Sequence, residues 1–290
     1  MEQFEAVRHG DKDKAGNLSE EGVQQSKEKA LVFVEEIKSA PPGSVFYVLP
    51  SNVGRATETG RTIESELEEI LQNDPNVEFI SVHDVSKIEA AKGDFSKKFI
   101  IKELYPTSSI GFKNDTDYVP AWIDYKKKLG NDEYNILMLW ASRPEEMGKT
   151  REEMQTKFPD LDVSTLNPKD FIRTPETEAL NYLFLSKRMA EITEKYFPGH
   201  PFKNIQVGHN PVDYAVLALM GKDITAENLR ELQNGKSRDF LESSKFEERN
   251  GSIIVKYRDH EVEREIELKD IIKKLEEQSK ERQESWKKNE

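Results

Sequence analysis

Val45-Phe-Tyr-Val-Leu49, then Pro50-Ser-Asn-Val-Gly54, then a helical pattern from about Arg55 to Gln72: this stretch decides the fold. Its apolar run has strand length, no polar alternation and turn formers on either side, which predicts a strand buried on both faces. Ile63, Leu67, Ile70 and Leu71 then fall on one face of a helix. The same unit recurs on both sides. Gln3 to Val7 reads as a first strand, and Glu20 to Ala40 as a helix stopped by Pro41-Pro42-Gly43. Ser19 is its expected N-cap, with Glu20 and Glu21 at the positive end of the helix dipole. After Asp74-Pro75-Asn76, Val77 to Val82 reads as a third strand. Strand, helix, strand, helix, strand predicts a parallel sheet covered by helices.

Further along, Pro175 to Phe197 is an amphipathic helical pattern through Leu180, Leu183, Phe184, Met189 and Ile192. Phe202 to Val207 returns to strand, followed by Gly208-His209-Asn210-Pro211 and an apolar helix from about Val212 to Met220. Between these halves, from about residue 95 to 174, the alternation breaks down. A helical stretch from Tyr118 to Gly130, an apolar run from Ile136 to Ala141 and two tryptophans predict an insertion with its own small cluster. Beyond about residue 222 the chain becomes a charged extension. Asn250-Gly251 before Ser252 to Tyr257 is a hairpin signal. Leu268 to Lys288 reads as a charged helix docked by Ile271, Ile272 and Leu275. The expectation is a single domain over 1–290: a three-layer α/β/α sandwich with a mainly parallel sheet, a helical insertion over its ligand edge and a charged C-terminal hairpin and helix.

Hydrophobic residues make up 36% and charged residues 34%, with a mean hydropathy of −0.76, but 14 Phe, 9 Tyr and 3 Trp argue for a packed core. A net charge of −12 repels nucleic acid and anionic membranes, so neither is expected as a partner. With no cysteine, disulfides, thiolate metal sites and Cys nucleophiles are excluded. Met1-Glu-Gln-Phe-Glu5 has no basic and apolar leader pattern, and no run of 18 apolar residues occurs. A soluble protein of a reducing cytoplasm is the expectation.

Three short pieces carry chemistry. Arg8-His9-Gly10 follows the first strand, Ser51 to Thr59 joins the second strand to its helix, and Gly208-His209-Asn210 follows a late strand. All fall at the carboxyl ends of parallel strands, the edge where open α/β sheets bind ligands. A dianionic phosphate there meets the guanidiniums of Arg8 and Arg55 and a helix N-terminus.

This constellation resembles the histidine phosphatase (phosphoglycerate-mutase-like) superfamily, on its phosphatase branch. Besides Arg8-His9-Gly10, Leu18-Ser-Glu-Glu-Gly22 is similar to the family's Leu-Thr-x-x-Gly helix start. Ser51-x-x-x-Arg55-Ala56-x-Glu58-Thr59 is similar to its Ser-Pro-x-x-Arg-Ala-x-x-Thr segment, with Asn52 in place of Pro, and Gly208-His209-Asn210 to its second-histidine motif. The likeness covers roughly 1–94 and 175–221. It implies that His9 attacks phosphorus and becomes a phosphohistidine. Arg8, Arg55 and His209 would hold the phosphoryl oxygens, and Asn210 would join them in binding substrate. No metal or cofactor is implied. The family's general acid is a Glu after the third strand, and Glu89-Ala-Ala-Lys-Gly93-Asp94 has the spacing, with Asp84 and Asp11 as reserves. The expected activity is metal-independent hydrolysis of a phosphorylated small molecule or phosphoprotein. Mutase-type phosphoryl transfer and a non-catalytic phosphate-binding scaffold are the alternatives. Asp11-Lys-Asp-Lys14 lacks the Ser and Asn of the mutase loop, and the intact Arg8, His9, Arg55, His209 set argues against a scaffold. Arg61, Arg143 and Arg173 are read as surface or ion-pairing residues and His83-Asp84 as a loop feature; His200 and His260 carry no role.

Overall fold

A computed structural model describes residues 2–107, 151–160, 162, 175–209, 212–234 and 238–288. The second strand, β2 (Val45–Pro50), is buried along its whole length. Phe46 and Val48 point into one core, while Val45, Tyr47 and Leu49 point into the other. A strand with two dry faces has no place for polar alternation, which is why its sequence reads as a continuous apolar run. Around it lies one eight-stranded sheet in the order β3-β4-β2-β5-β1-β6-β7-β8. The other parallel members are β1 (Glu2–Arg8), β3 (Val77–Ser81), β4 (Lys98–Lys102) and β5 (Phe202–Gly208). Three antiparallel strands, β6 (Ser243–Arg249), β7 (Ser252–Tyr257) and β8 (His260–Arg264), extend the β1 edge.

Helices cover both faces. α1 (Glu20–Ser39) and α2 (Gly54–Leu71) seal one with Phe33, Ile37, Ile63 and Leu67. Ser19 caps α1 as expected, its hydroxyl accepting from the Gly22 N–H. A short α3 (Val85–Ala91) follows β3, and α4 (Arg151–Lys157) lies in the region read as an insertion. α5 (Pro175–Tyr196), α6 (Val212–Met220), α7 (Ala226–Gln233) and α8 (Leu268–Lys288) follow in order. Leu183, Leu217, Ile271 and Leu275 from α5, α6 and α8 share a core with Val255 of β7 on the second face. The arrangement is a three-layer α/β/α fold. The turn between β6 and β7 is Asn250-Gly251, both at positive φ (52° and 78°), as the hairpin signal requires. No helix among the described residues is long and apolar enough to cross a membrane.

Two boundaries differ from the sequence reading. Residues 98–102, counted with the insertion, form β4, which is inserted between β3 and β2 in the main sheet. The extension from about residue 222 contributes three strands to that same sheet. The Tyr118-to-Gly130 helical stretch and the Ile136-to-Ala141 run lie outside the described residues.

Candidate active site

The chain crosses over tightly just after β1. A Cβ on Gly10 would lie 2.7 Å from the Gly22 carbonyl oxygen, and one on Gly22 would lie 2.2 Å from that of Asp11. Both positions therefore demand glycine, and their contact seats the loop after His9 on the start of α1. Asp11 secures the same junction by accepting from the Ser19 hydroxyl at 2.9 Å. From α2, the Thr59 hydroxyl donates to the Arg55 carbonyl at 2.8 Å and accepts from the Gly10 N–H at 3.1 Å. Gly10, Gly22 and Thr59 are thus joints between segments, and the charged residues are what those joints present.

His9 and His209 are each 4% exposed, with ring centroids 4.9 Å apart, because β1 and β5 are neighbours with Arg8 opposite Gly208. The Nδ1 of His9 lies 2.7 Å from the Gly10 carbonyl oxygen, which can only accept, so Nδ1 carries the proton. Nε2 keeps its lone pair and accepts from the Arg55 Nε–H at 2.9 Å. Burial, then the charge of Arg55, pushes the His9 pKa down to about 3, with Arg8 and Lys12 acting in the same direction against the Gly10 carbonyl. The ring is neutral at physiological pH, with a lone pair among three cations.

Lys12 was not read from the sequence as a site residue. Desolvation and the charges of Arg55 and Arg8 lower its pKa, so on a chain of net charge −12 this corner is cationic. Two further residues escaped the sequence reading. The buried Tyr182 of α5 clamps the His209 backbone, its hydroxyl accepting from the N–H at 3.2 Å and donating to the carbonyl at 3.3 Å. Phe240 packs its ring 4.3 Å below the Arg8 guanidinium and 5.7 Å from the His9 ring. A Tyr in an amphipathic helix and a Phe in a polar loop carry no local signal.

Arg8, His9, Arg55 and His209 come together. Asn210 lies outside the described residues, as do Arg143 and Arg173. Glu89 is not brought to them. It sits exposed on α3 beside Lys92, 3.8 Å away, after the outermost strand. His200 places that end of α3: its ring nitrogens meet the carbonyls of Lys92 (3.3 Å) and Gly43 (2.6 Å), and Gly43 precedes β2. Glu89 is thus near the amino ends of the strands, whereas His9 is at the carboxyl ends. Asp84 caps α3, its pKa lowered by the Ser86 hydroxyl and the Lys87 N–H. Arg61 is tied to Glu64 (2.9 Å) and to the Leu104 carbonyl (2.8 Å).

No protein-family model matches the sequence, and no curated protein matches it significantly. Solved structures do. The chain is similar to a mutase and to phosphatases. Phosphoglycerate mutase from Plasmodium falciparum is 12% identical, with 91% of this chain and 98% of that one covered and a TM-score of 0.33. A phosphoserine phosphatase mutant from Entamoeba histolytica is 12% identical, at 88% and 95% coverage and a TM-score of 0.41. The alpha-ribazole phosphatase from Shigella flexneri is 11% identical, at 89% and 96% coverage and a TM-score of 0.39.

Proposed function

We propose that the chain hydrolyses phosphomonoesters through a phosphohistidine on His9. The observation that carries this reading is the neutral His9 ring, Nδ1 tied to Gly10 and Nε2 facing the Arg55 Nε–H. A buried imidazole with a fixed tautomer and a guanidinium donor at its lone pair is arranged for attack on a phosphoryl dianion. As substrate enters, Arg55 transfers its hydrogen bond from Nε2 to a phosphoryl oxygen, and Arg8, Lys12 and His209 surround the rest. Nε2 then attacks phosphorus: a P–N bond forms, the P–O bond to the leaving group breaks and the leaving oxygen takes a proton. Water next attacks phosphorus and gives a proton back to the carboxylate that served as the acid, the P–N electron pair returns to Nε2, and inorganic phosphate departs.

For the proton donor, topology favours Glu103 over Glu89. The strand beside β2 is β4, and Glu103 follows its carboxyl end. The chain then reaches the site edge, where the Thr107 N–H donates to the Pro50 carbonyl at 2.9 Å and Asn52 donates to Thr107 at 3.0 Å. Glu103 has its backbone N–H on Glu64 at 2.7 Å and its carboxylate on the Ser81 hydroxyl, which lowers its pKa. Release from Ser81 is therefore part of the proposed step.

Trapping the intermediate tests the reading. A phosphoramidate survives base and is lost in acid, so quenching a labelled turnover should leave base-stable label on the wild type and none on His9→Ala. Label retained at wild-type level in His9→Ala would sink it.

A further inference from the structure

The segment 238–242 touches the first arginine of the site from three directions. The Leu241 N–H donates to the Arg8 carbonyl and the Arg8 N–H to the Glu242 carbonyl, each at 3.1 Å, continuing the β1 ladder. The Arg8 side chain donates through Nη1 to the Arg238 carbonyl. Phe240 supplies the aromatic face under the guanidinium.

This segment is itself anchored from below. Arg238 is 0% exposed and donates through Nε (2.9 Å) and Nη2 (2.7 Å) to one oxygen of Asp213, which is 1% exposed. The other Asp213 oxygen accepts from Gln233 at 2.9 Å. The Arg238 Nη1 reaches the carbonyls of Ala6 (3.4 Å) and Glu242 (3.3 Å), and its guanidinium lies 4.4 Å from the Tyr257 ring centroid. A buried charge with this many fixed partners does not drift, and breaking such a pair is far costlier than keeping it. Asp213 is on the first turn of α6, directly after the His209 loop, so one ion pair ties the segment under Arg8 to the helix after His209.

We infer that 238–242 is a positioning device for Arg8, in which Phe240 and the Arg238 carbonyl hold the guanidinium in its phosphate-binding orientation. An arginine side chain left to its rotamers pays entropy each time it captures an anion; one stacked and hydrogen-bonded beforehand has paid it on folding. The inference rests on reading Arg8 as a phosphoryl ligand.

Phe240 is the residue to change, because it is half-buried and Phe240→Leu keeps apolar bulk while removing the aromatic face. Binding of inorganic phosphate, measured by titration calorimetry, should weaken roughly five-fold in Phe240→Leu, the scale of a partly desolvated cation–π contact. Phe240→Tyr should restore it. In an Arg8→Lys background, Phe240→Leu should have little further effect, since the planar cation it positions is gone. Equal losses in both backgrounds, or no loss in either, overturn the inference. Turnover of p-nitrophenyl phosphate separates it from the hydrolase reading. An inert wild type that still shows the phosphate coupling removes hydrolysis and leaves the positioning role, while an active wild type without coupling removes only the positioning role.

Discussion

His9→Gln should flatten the acid side of the stability profile. The His9 ring is 4% exposed, and burial, followed by Arg55, takes its pKa from 6.5 to about 3. With the folded value below the unfolded one, the unfolded chain takes up the proton first as pH falls. The stability of the neutral ring is therefore complete above the unfolded pKa and is withdrawn as pH drops through the interval toward the folded value. Between about pH 7.5 and about pH 5, linkage makes this loss about 2 kcal/mol, most of it below pH 6.5. Urea unfolding at several pH values across that interval measures it. Gln retains a group that can accept from Arg55 but does not titrate, and every other ionisable residue is common to both proteins. The wild type should lose about 2 kcal/mol more than His9→Gln over the interval. Parallel profiles would refute the neutral, buried His9 from which the mechanism starts.

Two substitution series bear on the remaining chemistry. Arg55→Ala should lower turnover of p-nitrophenyl phosphate by about 10²–10³-fold, and Arg55→Lys should recover only part, since it restores charge without the fork; full recovery in steady-state assays would mean that charge alone suffices. Glu103→Gln should slow phosphorylation from an alkyl phosphate by about 10²–10⁴-fold and affect p-nitrophenyl phosphate far less, its leaving group hardly needing a proton. Glu89→Gln should leave the phosphorylation burst with both substrates unchanged, and a selective loss with the alkyl phosphate there would return the acid role to Glu89.

What the sequence discloses and what it conceals divide along the range of the interactions. Arg8-His9-Gly10 and the Ser51-to-Thr59 segment are legible because each gathers its demanding residues into a short run. Gly10 and Gly22 are glycines for want of space between adjoining segments, and Thr59 is one helical turn from the carbonyl it bonds. The strands of the buried centre are legible because two dry faces force a continuous apolar run. β4 is not, since only Phe99-Ile100-Ile101 separates Lys97 and Lys98 from Lys102, too short a run to stand out. That omission has a chemical consequence. Without β4, the strand after α2 is the third and last before the insertion, and the spacing around Glu89 then looks like the acid. Once β4 is inserted, Glu89 moves to the outer edge and Glu103 takes the inner position. Sheet order is set by which apolar faces meet in space, and no single strand encodes it. The same holds for Arg238 and Asp213, 25 residues apart in sequence yet sharing one buried bond. In a chain with 43 Lys and Arg against 55 Asp and Glu, nothing local marks these two as a pair that folding removes from water. Burial selects it, and through the Arg238 carbonyl that choice reaches Arg8.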